Sequence, residues 1–145
     1  MKRGLGMQKH ETEIRVRYQE TDNMGVVYYA NYFTWFEVAR TEYLRSKGIS
    51  YRKLEEKGVY MMVVKATCQY KSPARYDDTV RIETWMPKLK NSSLEFAYNL
   101  FVGQRLVATG ESVHVFTNRS GRPVRIPEEI RSLHNQRAQN NVISG

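Results

Sequence analysis

The sequence predicts one α+β domain in which a long aromatic helix packs against an antiparallel sheet of about five strands. Three observations support this. The chain has 145 residues, enough for a single well-packed core. Residues 31–48 carry apolar side chains at helical spacing, and five other segments alternate apolar and polar residues as strands do. No repeat or linker interrupts the pattern, so we expect one domain over 1–145, with its core at about 10–135 and flexible tails.

The first strand is predicted at residues 12–18, where Ile14, Val16 and Tyr18 share one face. After a loop, the segment "NYFTWFEVARTEYLRSKG" predicts the long helix, with Asn31 as its N-cap and Gly48 as its C-terminal stop. Its expected buried stripe consists of Tyr32, Phe33, Trp35, Phe36, Ala39, Tyr43 and Leu44.

The remaining elements follow in order. Residues 50–58 suggest a short helix that Ser50 caps and Gly58 ends. Four strands are then predicted at 59–71, 79–86, 93–102 and 105–117, and a final short helix begins near Pro127. We interpret the four strands as a meander that curls around the long helix. Such a sheet leaves edge strands that a second subunit could cover.

Composition excludes several kinds of site. The net charge is +8, but the basic residues are scattered, so we expect no nucleic-acid surface. The single cysteine excludes an intrachain disulfide, and three widely separated histidines give no metal-ligand spacing, so no metal site is expected. Neither a signal-peptide core nor an apolar run of about 18 residues is present, which predicts a cytoplasmic protein without a membrane span.

The loop "YQETDNMGVVYYANY" carries the main functional hypothesis. One interpretation is a turn in which Asp22 and Asn23 bond the local backbone and Gly25 adopts a positive φ. The other is catalysis. Unpaired amides at the start of the helix could stabilise an oxyanion, while Asp22 attacks a carbonyl or deprotonates water. The apolar residues that follow would suit an acyl group. We expect Glu20 to be a solvated loop acid.

The stretch "RYQETDNMGVVYYANYFTWFEVARTEYLR" resembles the opening motif of hotdog-fold acyl-CoA thioesterases of the 4-hydroxybenzoyl-CoA thioesterase-like, YbgC-type group, and "YKSPARYDDTVRIET" resembles their second segment. The resemblance covers about residues 10–130 and implies a hotdog fold. It also implies that Asp22 is the catalytic carboxylate and that the Tyr29 backbone N–H polarises the thioester carbonyl.

The same resemblance implies a substrate site. The acyl group would lie against Val26 and Val27, and against helix aromatics such as Trp35 and Phe36 that pack mainly in the core. Coenzyme A (CoA), which is part of the substrate and not a cofactor, would be met by the hairpin segment "KLKNSS". Its candidate residues are Lys88, Lys90, Asn91, Ser92 and Ser93. The alternative is that these residues form an ordinary polar hairpin. Family members form dimers, usually paired into tetramers, with active sites between subunits.

One residue departs from the pattern. Many YbgC-type enzymes have His where this chain has Tyr29, whereas aryl-CoA members have Tyr. Three alternatives to a thioesterase remain open. They are a dehydratase of the same fold, which would need a histidine near the helix start, a non-catalytic acyl-CoA or protein-binding module, and a nucleic-acid binder. The sequence also leaves open whether Asp22 attacks the thioester or activates water.

Overall fold

The computed structural model describes residues 8–134. Five strands form one sheet: β1 (His10–Arg15), β2 (Tyr60–Tyr70), β3 (Thr79–Leu89), β4 (Ser93–Val102) and β5 (Arg105–Thr117). Two helices, α1 (Asn31–Ser46) and α2 (Tyr51–Glu56), lie between β1 and β2, and residues 128–134 are helical. The predicted tails at 1–7 and 135–145 fall outside the described residues. This five-stranded antiparallel α+β arrangement is consistent with the predicted hotdog fold.

The strand order corrects the predicted four-strand meander. The order is β1-β3-β4-β5-β2, with every neighbouring pair antiparallel. Only β3, β4 and β5 form a meander, because β2 pairs with β5 and leaves β3 beside β1. The connection between β2 and β3 runs over residues 71–78. Eight residues exceed the usual hairpin length of about 2–5, so the chain can cross the sheet there instead of reversing.

Helix α1 packs on one face of the sheet through the predicted stripe. Its buried residues are Tyr32, Trp35, Phe36, Ala39, Tyr43 and Leu44, with Phe33 half-buried against them. The Phe36 ring stacks on Tyr98 of β4 with centroids 4.3 Å apart. It also lies over Gly110 of β5, where an added Cβ would come within 2.2 Å of the ring. The absence of a side chain at Gly110 lets the helix approach the sheet closely.

The helix boundaries confirm most capping predictions and correct one. Gly48 has φ +79° and its N–H bonds the Arg45 carbonyl, which ends α1. Ser50 accepts from the Lys53 N–H at the start of α2. Asn31, however, is not the N-cap of α1. It lies inside the helix, and its side-chain amide donates 2.8 Å to the Glu20 carbonyl instead.

Two strand predictions need correction. The first strand ends at Arg15, because a 3₁₀ turn at Tyr18–Glu20 follows and carries the Tyr18 ring into solvent, where it is 77% exposed. The third strand continues past residue 86 to Leu89 despite Pro87. Pro87 falls within the register shift between Trp85 and Lys88, beyond the end of β1, where no ladder hydrogen bond requires its missing N–H.

Strand β2 forms one edge of the sheet and carries exposed apolar side chains. Met62, Val63 and Val64 are each at least half exposed. An 11-residue edge strand with such side chains offers both unpaired backbone groups and apolar area to another chain.

Within residues 8–134, no helix is long and apolar enough to cross a membrane.

Candidate active site

Asp22 lies in a loop between β1 and α1 that is held by hydrogen bonds within the loop. Its backbone N–H donates 2.8 Å to the Val26 carbonyl, and its Oδ1 accepts from the N–H groups of Met24, at 2.8 Å, and Val26, at 3.4 Å. Gly25 has φ +81°, as predicted for this turn. The side chain of Asp22 therefore shapes the turn through Oδ1. Its Oδ2 accepts no hydrogen bond from any described residue, and the side chain stays partly exposed.

The expectation that Glu20 is a solvated loop acid is wrong, because its side chain is only 6% exposed. Oε1 accepts 2.8 Å from the Arg17 N–H, and Oε2 accepts 3.0 Å from the indole N–H of Trp35. Burial alone would raise the pKa of Glu20, but these bonds and the Arg17 guanidinium together hold that pKa below its ordinary value. The buried carboxylate thus ties the loop to α1.

The Tyr29 backbone lies immediately before α1. Its N–H donates to no acceptor among residues 8–134, so a donor remains available at the helix start. Its carbonyl is held by the Tyr70 hydroxyl at 3.0 Å. The pKa of Tyr70 is raised to about 12, chiefly by burial and by Cys68, so this hydroxyl remains a donor at neutral pH. The Tyr29 ring, 59% exposed, packs against Tyr28 and Tyr70.

A cavity of about 380 Å³ contains both candidates for catalysis. Asp22 and Tyr29 line it together with the predicted acyl contacts Val26 and Val27. The other walls come from Tyr32, Tyr70, Lys71, Ser72 and Pro73. Trp35 and Phe36 do not line this cavity, since both are 1% exposed and packed in the core. The arrangement places a carboxylate and an unpaired amide beside mainly apolar and aromatic walls.

Sequence reasoning did not find Tyr32 and Tyr70 as cavity residues, nor the role of the 71–78 connection. The Val27 N–H donates 2.8 Å to the Ala74 carbonyl, and Val26 forms an isolated bridge with Arg75. The 71–78 connection therefore holds the Asp22 loop in place through these backbone contacts. Its unusual length was the available signal, because a connection too long for a hairpin often crosses the sheet.

The predicted CoA-binding hairpin is not brought to this cavity within one chain. Lys88 belongs to β3, Lys90, Asn91 and Ser92 form the turn, and Ser93 begins β4. This turn stands at the far end of β3 from residues 74–78, about 30 Å away at ordinary strand rise.

The hairpin is held by its own neighbours. Lys88 lies 3.8 Å from Glu95, the Arg125 guanidinium donates to the Asn91 side chain, and Arg131 donates to the Lys90 carbonyl. Its two lysines and exposed polar groups remain compatible with an anionic ligand.

No histidine among the described residues lines the Asp22 cavity. Nor does any group of three or more His, Cys, Asp and Glu side chains within residues 8–134 form a potential metal site.

Comparison with known proteins places this geometry in a family. The sequence profile of the thioesterase-like superfamily matches residues 16–133. The acyl-CoA thioesterase YbgC of Haemophilus influenzae is 34% identical over 122 residues, which cover 82% of this chain and 89% of that protein.

Two solved structures share both fold and sequence with this chain. The DHNA-CoA thioesterase of Staphylococcus aureus superposes with a TM-score of 0.83 at 31% identity, covering 94% of this chain and 93% of that one. The gentisyl-coenzyme A thioesterase BH1999 superposes with a TM-score of 0.79 at 30% identity, covering 84% of this chain and 99% of that one. The chain belongs to the thioesterase-like superfamily, within its YbgC-related acyl-CoA thioesterase group.

Proposed function

We propose that this protein hydrolyses the thioester bond of acyl-CoA to give a free acid and CoA. The observation that carries the proposal is the pairing, in one cavity, of the Asp22 carboxylate with the unpaired N–H of Tyr29. Acyl transfer to water needs a base or nucleophile and a donor for the developing oxyanion, and the two residues that would supply them, Asp22 and Tyr29, line the same cavity. The named activities of the relatives favour the same reaction.

Asp22 would act through Oδ2, the oxygen that the turn leaves free. In one route it takes a proton from water while the water oxygen attacks the carbonyl carbon. In the other, Oδ2 itself attacks and forms a mixed anhydride, which water then hydrolyses. In both routes the C–S bond breaks and the CoA thiolate leaves, to be protonated afterwards. The two backbone bonds to Oδ1 would hold the carboxylate in place throughout.

The Tyr29 N–H would donate to the carbonyl oxygen as negative charge builds on it. The N-terminus of the 16-residue helix α1 adds partial positive charge at the same point. One preorganised donor of this kind stabilises a transition state by about 2.7–4 kcal/mol. The Tyr70 hydroxyl, by fixing the Tyr29 carbonyl, would orient that peptide.

The acyl group would lie against Val26, Val27, Tyr32 and Tyr70. The tyrosine rings suit an aromatic acyl group, such as the gentisyl group named for one related enzyme. No metal or redox cofactor enters the proposal, since CoA arrives as part of the substrate. A dehydratase is not favoured, because the described cavity offers no imidazole to share the proton transfers.

We further propose a dimer in which the β2 edges of two subunits pair antiparallel. Such pairing would cover the exposed side chains of Met62, Val63 and Val64. It would also bring the Lys88–Ser93 hairpin of a second subunit to the Asp22 end of the sheet, about three strand spacings or 14 Å from β2. CoA could then reach from one subunit's cavity to the other's hairpin. A dimer of dimers would be built from the same unit.

A thiol-release assay across aryl-, short-chain and long-chain acyl-CoAs tests the reaction. Asp22→Asn should lower kcat by at least about 10²-fold, because an amide can neither attack nor accept the proton well. The matched control is Asp77→Asn, an exposed loop carboxylate whose positive φ of 70° suits Asn. The control should keep full activity. Near-normal turnover by folded Asp22→Asn, or no thiol release from any substrate by the wild type, would exclude the proposal.

A further inference from the structure

A second cavity, of about 300 Å³, lies farther along α1 and belongs to no step of the proposed hydrolysis. Arg40, Tyr51 and His114 line it beside apolar residues of α2 and β2, and Glu37 and Glu55 stand exposed at its rim. Arg40 is nine residues into the helix from Asn31, about 13 Å of helical rise. The cavity is therefore separated from the Tyr29 amide of the same subunit.

A buried chain of hydrogen bonds ends at this cavity. The Arg40 guanidinium donates 3.3 Å to the Tyr98 hydroxyl, which lies 2.6 Å from Ser112 Oγ, and Ser112 Oγ lies 2.7 Å from His114 Nε2. Because Arg40 can only donate, Tyr98 accepts from it, and we assign the Tyr98 proton to the bond with Ser112, the other partner of that hydroxyl. The Ser112 hydroxyl then donates to Nε2 of His114. This direction leaves no hydroxyl proton of the chain unused.

This assignment of the hydroxyl protons sets the tautomer of His114. Burial, with a smaller effect of the nearby Arg40 charge, lowers the pKa of His114 to about 3, so the imidazole is neutral at ordinary pH. With Nε2 accepting, the single proton resides on Nδ1. His114 is fully buried, and its Nδ1 has no hydrogen-bond partner in the described structure. It is thus a donor without an acceptor.

Two more donors line the same cavity. The Tyr51 hydroxyl is buried and has no acceptor within residues 8–134; the Arg40 and Thr41 side chains lie beside it as donors. Arg40 forms no ion pair with any described carboxylate, Glu37 included. Burial raises the pKa of Tyr51 to about 12, and the positive charge of Arg40 opposes that rise. The imidazole N–H and the phenol lack an acceptor, and the guanidinium, which donates to Tyr98, lacks a carboxylate partner among the described residues. An oxygen acceptor in the cavity would serve all three groups.

We propose that this cavity binds a carboxylate carried on an apolar body. Arg40, Tyr51 and His114 would hold the carboxylate oxygens, while Leu54, Val59 and Met61 would contact the apolar body. The ligand could be a free organic acid or the distal carboxylate of an acyl group. Only the second source depends on the proposed thioesterase function.

Direct binding tests the site without turnover. Calorimetric titration of the full chain with benzoate should give saturable binding, and the neutral isostere benzamide should bind at least about tenfold more weakly. Arg40→Gln and Tyr51→Phe should each weaken benzoate binding, with Arg40→Gln costing about tenfold or more. Tyr51→Phe removes an unpartnered hydroxyl and should leave the fold intact. Arg45→Gln, an exposed site on the same helix, is the matched control and should bind as the wild type does.

Two measurements locate the ligand and identify its source. Asp22→Asn should bind benzoate normally, and the ¹⁵N resonance of His114 Nδ1 should shift on binding in the wild type and in Asp22→Asn alike. Arg40→Gln would lower kcat/KM selectively for suberoyl-CoA over octanoyl-CoA if the acyl tail is the source. Weakened benzoate binding alone would identify a free acid. Equal binding of benzoate and benzamide, or a cavity that holds ordered water only at saturating benzoate, would overturn the proposal.

Discussion

The buried Glu20 carboxylate gives the sharpest stability prediction, through the substitution Glu20→Gln. Its Oε1 accepts from the Arg17 N–H at 2.8 Å, and its Oε2 accepts from the Trp35 indole N–H at 3.0 Å and from the Arg17 guanidinium at 3.4 Å. Glutamine offers one oxygen and one NH₂ group, so it can satisfy one donor while the NH₂ group faces the other. The nearly isosteric change therefore loses one charged hydrogen bond and leaves a buried donor unpaired.

The expected loss of stability follows from the number of hydrogen bonds lost and of donors left unpaired. A hydrogen bond to a charged group contributes about 1.5–3 kcal/mol, and an unsatisfied buried donor costs about 1–3 kcal/mol. These terms overlap, so we expect the free energy of unfolding to fall by about 2–4 kcal/mol. Urea denaturation followed by far-UV circular dichroism measures it, at one fixed protein concentration because an oligomer's stability depends on concentration. The exposed Glu13→Gln on β1 is the control and should change stability by less than about 0.5 kcal/mol.

A double-mutant cycle assigns the effect to the indole contact. Trp35→Phe removes the N–H donor, so Glu20→Gln should cost at least about 1 kcal/mol less in that background. The loss of Trp35 packing cancels in the cycle. If Glu20→Gln lowers the unfolding free energy by less than about 0.5 kcal/mol, or costs the same with and without Trp35, then the carboxylate does not brace the loop as argued.

Three further outcomes follow. Folding lowers the pKa of Glu20, so its contribution to the free energy of unfolding is fully present above its ordinary pKa of 4.5 and is lost as pH falls through the folded pKa. The stability difference between the wild type and Glu20→Gln should therefore shrink in urea titrations carried from pH 7 to pH 3. Gly110→Ala should lower the free energy of unfolding by about 1–3 kcal/mol, since its Cβ would overlap the Phe36 ring. In thermal melts, Gly110→Ala should lower Tm by less in the Phe36→Leu background than in the wild type. Val63→Lys on the β2 edge should shift sedimentation toward the monomer, and an unchanged oligomer would exclude pairing through β2.

Local periodicity accounts for most of what the sequence predicted correctly. The fourth and fifth strands occur at 93–102 and 105–117, as expected, because alternate apolar residues mark the fourth strand and the turn at Gly103-Gln104 separates it from the fifth. The aromatic stripe of α1 is buried as predicted, since residues three and four apart must share one face of a helix. The turn at Gly25 was predicted because Asp and Asn side chains bond the local backbone and glycine adopts a positive φ without steric cost.

The failures involve contacts between residues distant in sequence. Nothing near Glu20 in the chain indicates that the Trp35 indole, fifteen residues later, would bury its carboxylate. The crossover at 71–78 was missed because alternation identifies strands but not their neighbours. That the hairpin and Asp22 lie at opposite ends of one subunit was missed for the same reason, because their separation depends on which strands are neighbours. A motif can suggest that both bind CoA, but only the sheet topology shows that they lie far apart within one chain.

The bracing of the loop bears on the unusual residue at position 29. The Glu20 carbonyl accepts from the Tyr28 N–H at 2.9 Å and from the Asn31 side chain at 2.8 Å, and the Tyr70 hydroxyl holds the Tyr29 carbonyl. The backbone on both sides of the Tyr29 N–H is thus fixed by groups other than the Tyr29 side chain. That ring is largely exposed at the edge of the cavity, against Tyr28 and Tyr70. Exchange of His for Tyr at this position would therefore leave the proposed oxyanion donor in place and alter the wall of the proposed acyl site. Under the proposed mechanism, position 29 would set substrate preference, while Asp22 and the backbone would carry the chemistry.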